Sequence, residues 1–357
     1  MGDDMTDERR RLSRRAVERH AGDLSALGGV RSVVLGDGLE RGVRVLEFKT
    51  AAGLRFDVLV DRAMDLGATE LAGVSIAWAS RTGVRHPMLF EHADERGLSF
   101  LRSMTGLLVT GGLDHTLFGD DVDASHYHYP PRPTLRHGLH GRVANLPARL
   151  LGYGEAWQGD RCVLYAEGEV RQAAMFAEHL RLRRRIEVDL DGTEIRVEDT
   201  VRNHGFDPTP HMFLYHINLG WPFLGAGTRV QAPIERTVWQ SASVEEQGVS
   251  HLELPGPQPA FVEQVYEHAL RPDERGEVLV TVTNPAQRRV ELRFDGTAFG
   301  HFFEWLALRE GDYALGLEPS THAVAGDRSA RDDGSMIWLG HGEERHYRTS
   351  LRFVDGP

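Results

Sequence analysis

The residues able to do acid–base or metal chemistry are bunched along the chain. Of the eighteen histidines, His115, His126, His128, His137 and His140 share one short stretch, while His211 and His216 flank a later apolar run. A single histidine signifies little, since most are surface or hydrogen-bonded core residues. Several in one pocket can move protons or hold a metal, because imidazole titrates near neutral pH. Three segments combine such groups with glycines and aromatics: Leu139-His140-Gly141-Arg142, Leu214-Tyr215-His216-Ile217-Asn218-Leu219-Gly220, and Leu315-Gly316-Leu317-Glu318-Pro319-Ser320. Two imidazoles and a carboxylate are enough for paired proton donation and abstraction.

Composition removes other chemistries. Lys49 is the only lysine, and it sits in the polar turn Phe48-Lys49-Thr50, so a Schiff-base or pyridoxal-phosphate enzyme has almost no lysine to use. No Gly-Lys-Ser/Thr, HExxH, GxSxG or strand-associated GxGxxG occurs, which removes P-loop, zincin, α/β-hydrolase and dinucleotide readings. Cys162 is the only cysteine, so disulfide frameworks and Cys-rich zinc sites are excluded. A net charge of −12 disfavours nucleic acid and anionic membranes, whose binding depends on cationic side chains replacing counterions. The first twenty residues mix Arg with acids and lack an apolar core, and Met212 to Gly227 is interrupted by His216, Asn218 and Pro222. The expectation is a soluble, cytoplasmic protein with neither signal peptide nor spanning helix.

The elements that must position the histidine blocks are mostly strands. Thr6 to Leu27 is expected as one helix, stopped at Gly28-Gly29, and Arg96 to Met104 as a short one. Elsewhere the period is two. Leu54, Phe56, Val58 and Val60 alternate with polar partners, as do Leu180, Leu182, Arg184, Ile186, Val188 and Leu190. Asp191-Gly192 and Asn284-Pro285 each separate two alternating runs, which predicts hairpins. Tyr347, Thr349, Leu351 and Phe353 lie on one face of a last strand. With no linker and no internal repeat, the reading is an all-β, mainly antiparallel fold. It divides into a helical segment, 1–29, packed on a single β-sandwich domain, 30–357.

Taken in order, Asp61-Arg62-Ala63-Met64-Asp65, Gly111-Gly112-Leu113, the Leu-His-Gly-Arg block, Asn203-His204-Gly205, the Tyr-His-Ile-Asn block and Leu-Glu-Pro give the chain a family likeness from about Gly38 to Phe353. It resembles the galactose mutarotase-like (aldose 1-epimerase) superfamily, and most closely the related family called DUF4432. The resemblance implies a β-supersandwich with a sugar in a cleft on one face, and an isomerase that interconverts anomers. By motif position, it implies Glu318 as general base, His216 as general acid and His140 as the second histidine near the ring oxygen. Arg62, Asp65, Arg142 and Asn218 are then candidate sugar contacts, with an internal Arg62–Asp65 ion pair as the plainer alternative. Trp305, Trp221 and Phe303 could offer a ring face. Arg142 stands where the family's archetypal members have Gly, and the His-to-Asn spacing is two residues shorter than theirs. These departures leave the sugar open and raise an acidic or phosphorylated one as a class to test.

Mutarotation needs a base for the anomeric hydroxyl and an acid for the ring oxygen, expected on opposite sides of C1–O5, and no cofactor. The expected partner is a small-molecule carbohydrate, with no nucleic acid and no membrane, and a homodimer is left open. Two rival readings remain. A metal-dependent sugar isomerase would use the HxH triplet His126-Tyr127-His128, completed by His137 or His140 with Asp114 or Glu318. A carbohydrate-binding protein would keep the cleft without turnover.

Overall fold

The structure is a computed structural model that describes residues 12–356. Period-two alternation builds two large antiparallel sheets, as the hydrophobic pattern requires. The first has twelve strands. Along its main path run Gly29–Val34, Arg44–Lys49, Leu54–Leu59, Asp65–Leu71, Leu108–Leu113, Thr209–Gly220, Asp312–Ser320, His301–Arg309, Gln264–Leu270 and Ile234–Gln240. The second has eight, from Arg229–Gln231 through Glu277–Thr283, Arg289–Asp295, Glu344–Val354, Glu194–Asn203, His179–Asp189 and Arg161–Ala173 to Ala148–Gln158. One hydrophobic core lies between them, with Phe48, Phe56, Tyr215 and Ile217 from the first sheet meeting Leu180, Ile186, Val280, Leu292 and Leu351 from the second. Burying both inner faces against each other is what makes a two-sheet β protein stable.

The expected hairpins form at both predicted turns. Strand His179–Asp189 pairs with Glu194–Asn203, and Glu277–Thr283 with Arg289–Asp295. The helical expectations are corrected. Residues 6–11 lie outside the described residues, and the remainder is not one helix. Helix Arg14–His20 starts with the Ser13 hydroxyl accepting from the Ala16 N–H and ends at Ala21, whose backbone is extended. Asp23 then caps a separate 3₁₀ turn, Leu24–Ala26, by accepting from the Ser25 N–H. Two local caps outcompete continuous helix through Gly22. The stretch Arg96 to Met104 likewise makes a turn, Asp94–Gly97, and a 3₁₀ segment, Ser99–Arg102. Glu95 and Arg96 have φ of 53° and 60°, which breaks any α-helix there.

Strand Thr209–Gly220 is central: all twelve of its residues are buried, between Leu108–Leu113 on one side and Asp312–Ser320 on the other. Its two faces have different duties. Tyr215 and Ile217 face the core between the sheets, whereas Leu214 packs with Leu117 and Phe303 on the opposite face, the one that also carries His216. No helix among the described residues is long and apolar enough to cross a membrane.

Candidate active site

Pairing Thr209–Gly220 with Asp312–Ser320 sets Ile217 opposite Leu317, so the flanking residues His216 and Glu318 emerge on one face. His216 Nε2 lies 3.1 Å from Glu318 Oε1. Both side chains are nearly sealed, at 4% and 4% exposure. Gly316 makes this approach feasible: a Cβ there would stand 2.9 Å from His216 Cε1 and 3.1 Å from Glu318 Oε1. His140 enters from a loop, its ring centroid 5.5 Å from that of His216 and nearly perpendicular to it. Its backbone is left-handed, with φ 55°, a strained state for a non-glycine residue that tends to mark functional positions. Gly141 follows at φ 72°, where a Cβ would come within 2.5 Å of the Gly112 and His115 carbonyl oxygens. The Leu117 N–H donates to His140 Nδ1 at 3.3 Å, which leaves the proton of the neutral ring on Nε2.

Burial sets the protonation states. It pushes Glu318 well above the ordinary carboxylate range, helped by the nearby charge of Glu263. It pushes His216 well below the imidazole range, with His140 adding to the effect. His140 is held down to about 3 by burial and by His115. Both shifts act in favour of the uncharged forms, a carboxylic acid and a neutral imidazole. His216 and Glu318, expected on opposite sides of a sugar, are in direct contact with each other in this structure.

Trp305 is the candidate ring-face residue that the structure brings to this group. Its ring lies 5.4 Å from His216, and its indole N–H donates to Glu263 at 2.8 Å. Trp78, 5.5 Å from Trp305, and Phe100, 5.0 Å from His140, complete an aromatic wall that sequence spacing gave no signal for. Asn218 is buried two residues from His216, its amide donating to the Gly106 and His216 carbonyls. Trp221 is 74% exposed, while Phe303 is packed with Leu117 and Leu214.

Arg62 and Asp65 are corrected as sugar contacts. The Arg62 guanidinium donates to the Ala144, Arg85 and Ser103 carbonyls. Asp65 instead joins a buried network with Thr110 and Arg184, and Arg184 also binds Asp199 through Nε and Nη2. The cation in that core is Arg184, which alternation had placed on the apolar face of its strand. Arg142 is also relocated: it stands 3.7 Å from Glu178 and close enough to lower the pKa of Asp114. Its Nε and Nη2 are buried without a hydrogen-bond partner.

The HxH triplet does not form the expected ligand pair. It lies in irregular backbone, with His126 against Tyr127 and Trp338 and His128 beside Asp207. Three other groups among the described residues bring ligand atoms within 4.8 Å of one another: His140–His216–Glu318, His115–His137–Asp327 and His251–His268–Glu304. The first is the pair described above with its neighbouring histidine. A cavity of about 760 Å³ lies elsewhere, over the first strands, where Asp57 is pushed up to about 6 by burial and by Glu47 and Glu70.

Comparison with known proteins agrees with this architecture. A candidate aldose 1-epimerase from Klebsiella pneumoniae superposes with a TM-score of 0.82 at 22% identity, covering 92% of this chain and 83% of that one. A galactose mutarotase-like protein from Clostridium acetobutylicum gives 0.60 at 12% identity, covering 91% and 98%. A candidate aldose 1-epimerase from Escherichia coli gives 0.57 at 15%, covering 88% and 100%. At these identities the likeness establishes the galactose mutarotase-like fold. No curated protein matches the sequence. Residues 40–353 match the family described as Domain of unknown function (DUF4432), and the chain belongs to that family.

Proposed function

We propose that the protein interconverts the anomers of a free aldose or aldose derivative by acid–base ring opening at the His216–Glu318 pair. The observation that carries this reading is the sealed 3.1 Å contact between His216 Nε2 and Glu318 Oε1, with His140 beside it. The anomeric oxygen and the ring oxygen are bonded to the same carbon, so adjacent proton-bearing groups can address both at once. When a sugar hydroxyl reaches the pair, its polar contacts favour the charged form, a Glu318 carboxylate with a His216 imidazolium. Glu318 then takes the anomeric proton while His216 protonates the ring oxygen. The ring opens to the aldehyde, the C1–C2 bond rotates, and the exchanged groups close it from the other face. His140, protonated at Nε2, is the hydrogen-bond donor that holds the oxygen in place, and Trp305 offers a face to the pyranose. The chemistry uses only side chains.

The fold of the mutarotase-like relatives supports the carbohydrate assignment, and the buried pair supports the reaction type. The test is anomer exchange measured by NMR across a panel of neutral, acidic and phosphorylated aldoses. At least one sugar is expected to exchange faster with the protein, and Glu318→Gln to lower that rate by about 10²-fold or more. An unchanged rate in the variant overturns the assignment of the base. Sugar binding without exchange moves the protein to the binding class.

A further inference from the structure

We propose that His115, His137 and Asp327 form a structural divalent-cation site, of the kind that takes zinc, next to the loop that holds His140. All three residues are at or below 1% exposure, and their ligand atoms lie within 4.8 Å of one another. Burial of this kind normally comes with hydrogen bonds to every polar atom. Here His115 Nδ1, His137 Nδ1 and Asp327 Oδ2 have no hydrogen-bond partner.

The tautomer of His115 sharpens the point. Its Nε2 is 2.8 Å from the Phe118 carbonyl, which can only accept, so Nε2 carries the proton. In the neutral ring, Nδ1 then presents a lone pair toward Asp327 Oδ2, 4.0 Å away. Two lone pairs facing each other in a dry interior repel, and 4.0 Å is too long for a hydrogen bond to join them. A cation between them removes the conflict. Backbone carbonyls that fix the other ring nitrogen are the usual outer support of a metal-bound histidine. Asp327 has comparable support, because Arg331 Nε donates to Oδ1 at 2.5 Å and leaves Oδ2 free. The His115 and His137 rings stack at 4.6 Å and 2°, so one ring must turn about its Cβ–Cγ bond to bring both in-plane lone pairs to a single ion.

Size and donor type agree. Two imidazoles and one carboxylate suit a first-row divalent ion, and a tetrahedral zinc site places its ligand atoms roughly 3.3–3.5 Å apart. His115 Nδ1 and Asp327 Oδ2, now 4.0 Å apart, need to approach by roughly 0.5–0.7 Å to meet that geometry. The ion would tie the segment after Leu108–Leu113 to the stretch before His140 and to helix Gly326–Asp333, which follows the strand of Glu318. His140 N–H donates to the Leu117 carbonyl and His140 Nδ1 accepts from the Leu117 N–H, so clamping His115 clamps the backbone that aims His140. The His251–His268–Glu304 group is weaker, since His251 already bonds Glu304 at 2.8 Å and is partly exposed.

The test reads the metal and needs no sugar. Protein stripped by chelator is titrated with zinc and with cobalt, measuring content by elemental analysis and coordination by the cobalt visible spectrum. One equivalent per chain is expected, with bands of a low-coordinate nitrogen–oxygen site. His137→Gln and Asp327→Asn should each weaken binding at least tenfold; asparagine keeps an oxygen for Arg331 and so preserves the fold, checked by circular dichroism. Glu318→Gln should bind as the parent does. Failure of the parent to bind either ion, retention of full affinity in both His137→Gln and Asp327→Asn, or loss only in Glu318→Gln would each overturn the proposal.

Discussion

Arg184→Met tests the electrostatics beneath the candidate site. The guanidinium donates to Asp199 from Nε at 2.9 Å and Nη2 at 2.7 Å, to Asp65 from Nη1 at 2.8 Å, and to Thr110 from Nη2 at 2.8 Å. Asp65 and Asp199 belong to opposite sheets, and the Tyr215 hydroxyl, on the back of the strand bearing His216, donates to Asp199 at 2.7 Å. Methionine fills similar volume but leaves two carboxylates in one dry site, held only by Thr110 and Tyr215. Breaking a buried pair from one side is worth about 3–5 kcal/mol, and this trio belongs at the upper end. The loss should depend on pH. Because two adjacent buried carboxylates cannot both ionise, the folded variant holds a proton that its unfolded chain has released. Its folded pKa is raised, so stability is greatest at low pH and falls as pH rises, by about 1.4 kcal/mol per unit. Urea denaturation followed by tryptophan fluorescence at pH 6, 7 and 8 measures this. The deficit relative to the parent should widen by roughly 2–3 kcal/mol across that range, and adding Asp65→Asn should recover part of it. A deficit below about 1 kcal/mol, or one independent of pH, would refute the reasoning.

Other perturbations probe the site and its surroundings. Glu318→Gln removes a carboxyl whose folded pKa is raised, so its contribution to stability is fully present below the unfolded pKa and is lost as pH rises through the folded pKa; the variant should melt at the parent's temperature near pH 4 and above it at pH 8. Equal melting at both pH values would place Glu318 in a wetter setting than its burial implies. Gly316→Ala pushes a Cβ against His216 and Glu318 and should lower anomer exchange roughly tenfold or more, at about 1–3 kcal/mol of overpacking. An unaffected exchange rate would show that the pair can part freely. Asp57→Asn removes a carboxyl raised to about 6; discounted for its partial exposure, the gain should be roughly 1–2 kcal/mol at pH 8, disappearing below pH 4 in thermal or urea denaturation.

The strand pattern carried most of the architecture. Alternation from Leu180 to Leu190 and from Val278 to Phe294 translates directly into paired strands, because one face of each sheet must leave water. The same alternation contained the buried trio in plain view: an arginine in register with Leu182 and Ile186 either points into the core with acidic partners or breaks the strand. Asp65 and Asp199 are distant in sequence, so nothing local could name them. The helical misreadings have a different cause. At Asp23 and around Gly97, side-chain caps and left-handed residues override an apolar spacing that in isolation favours a helix.

Motif order led to His140, His216 and Glu318, but the relation among them is a property of register. Whether a carboxylate lies across a sugar from a histidine or against it depends on which residue faces Ile217 across the strand pair, and that residue is Leu317. Arg62 shows the opposite limit. A guanidinium beside a motif aspartate suggests a sugar clamp, yet three backbone carbonyls of irregular segments need a donor, and Arg62 satisfies them. His115 and His137 were visible as part of a histidine-rich stretch, whereas Asp327 gave no signal, since a helix far along the chain carries it past the loops that precede His140. Tertiary placement therefore converts an ambiguous cluster into two separate groups: one sealed against Glu318, where a proton can move, and one closed around unpaired lone pairs, where a cation would hold the first in place.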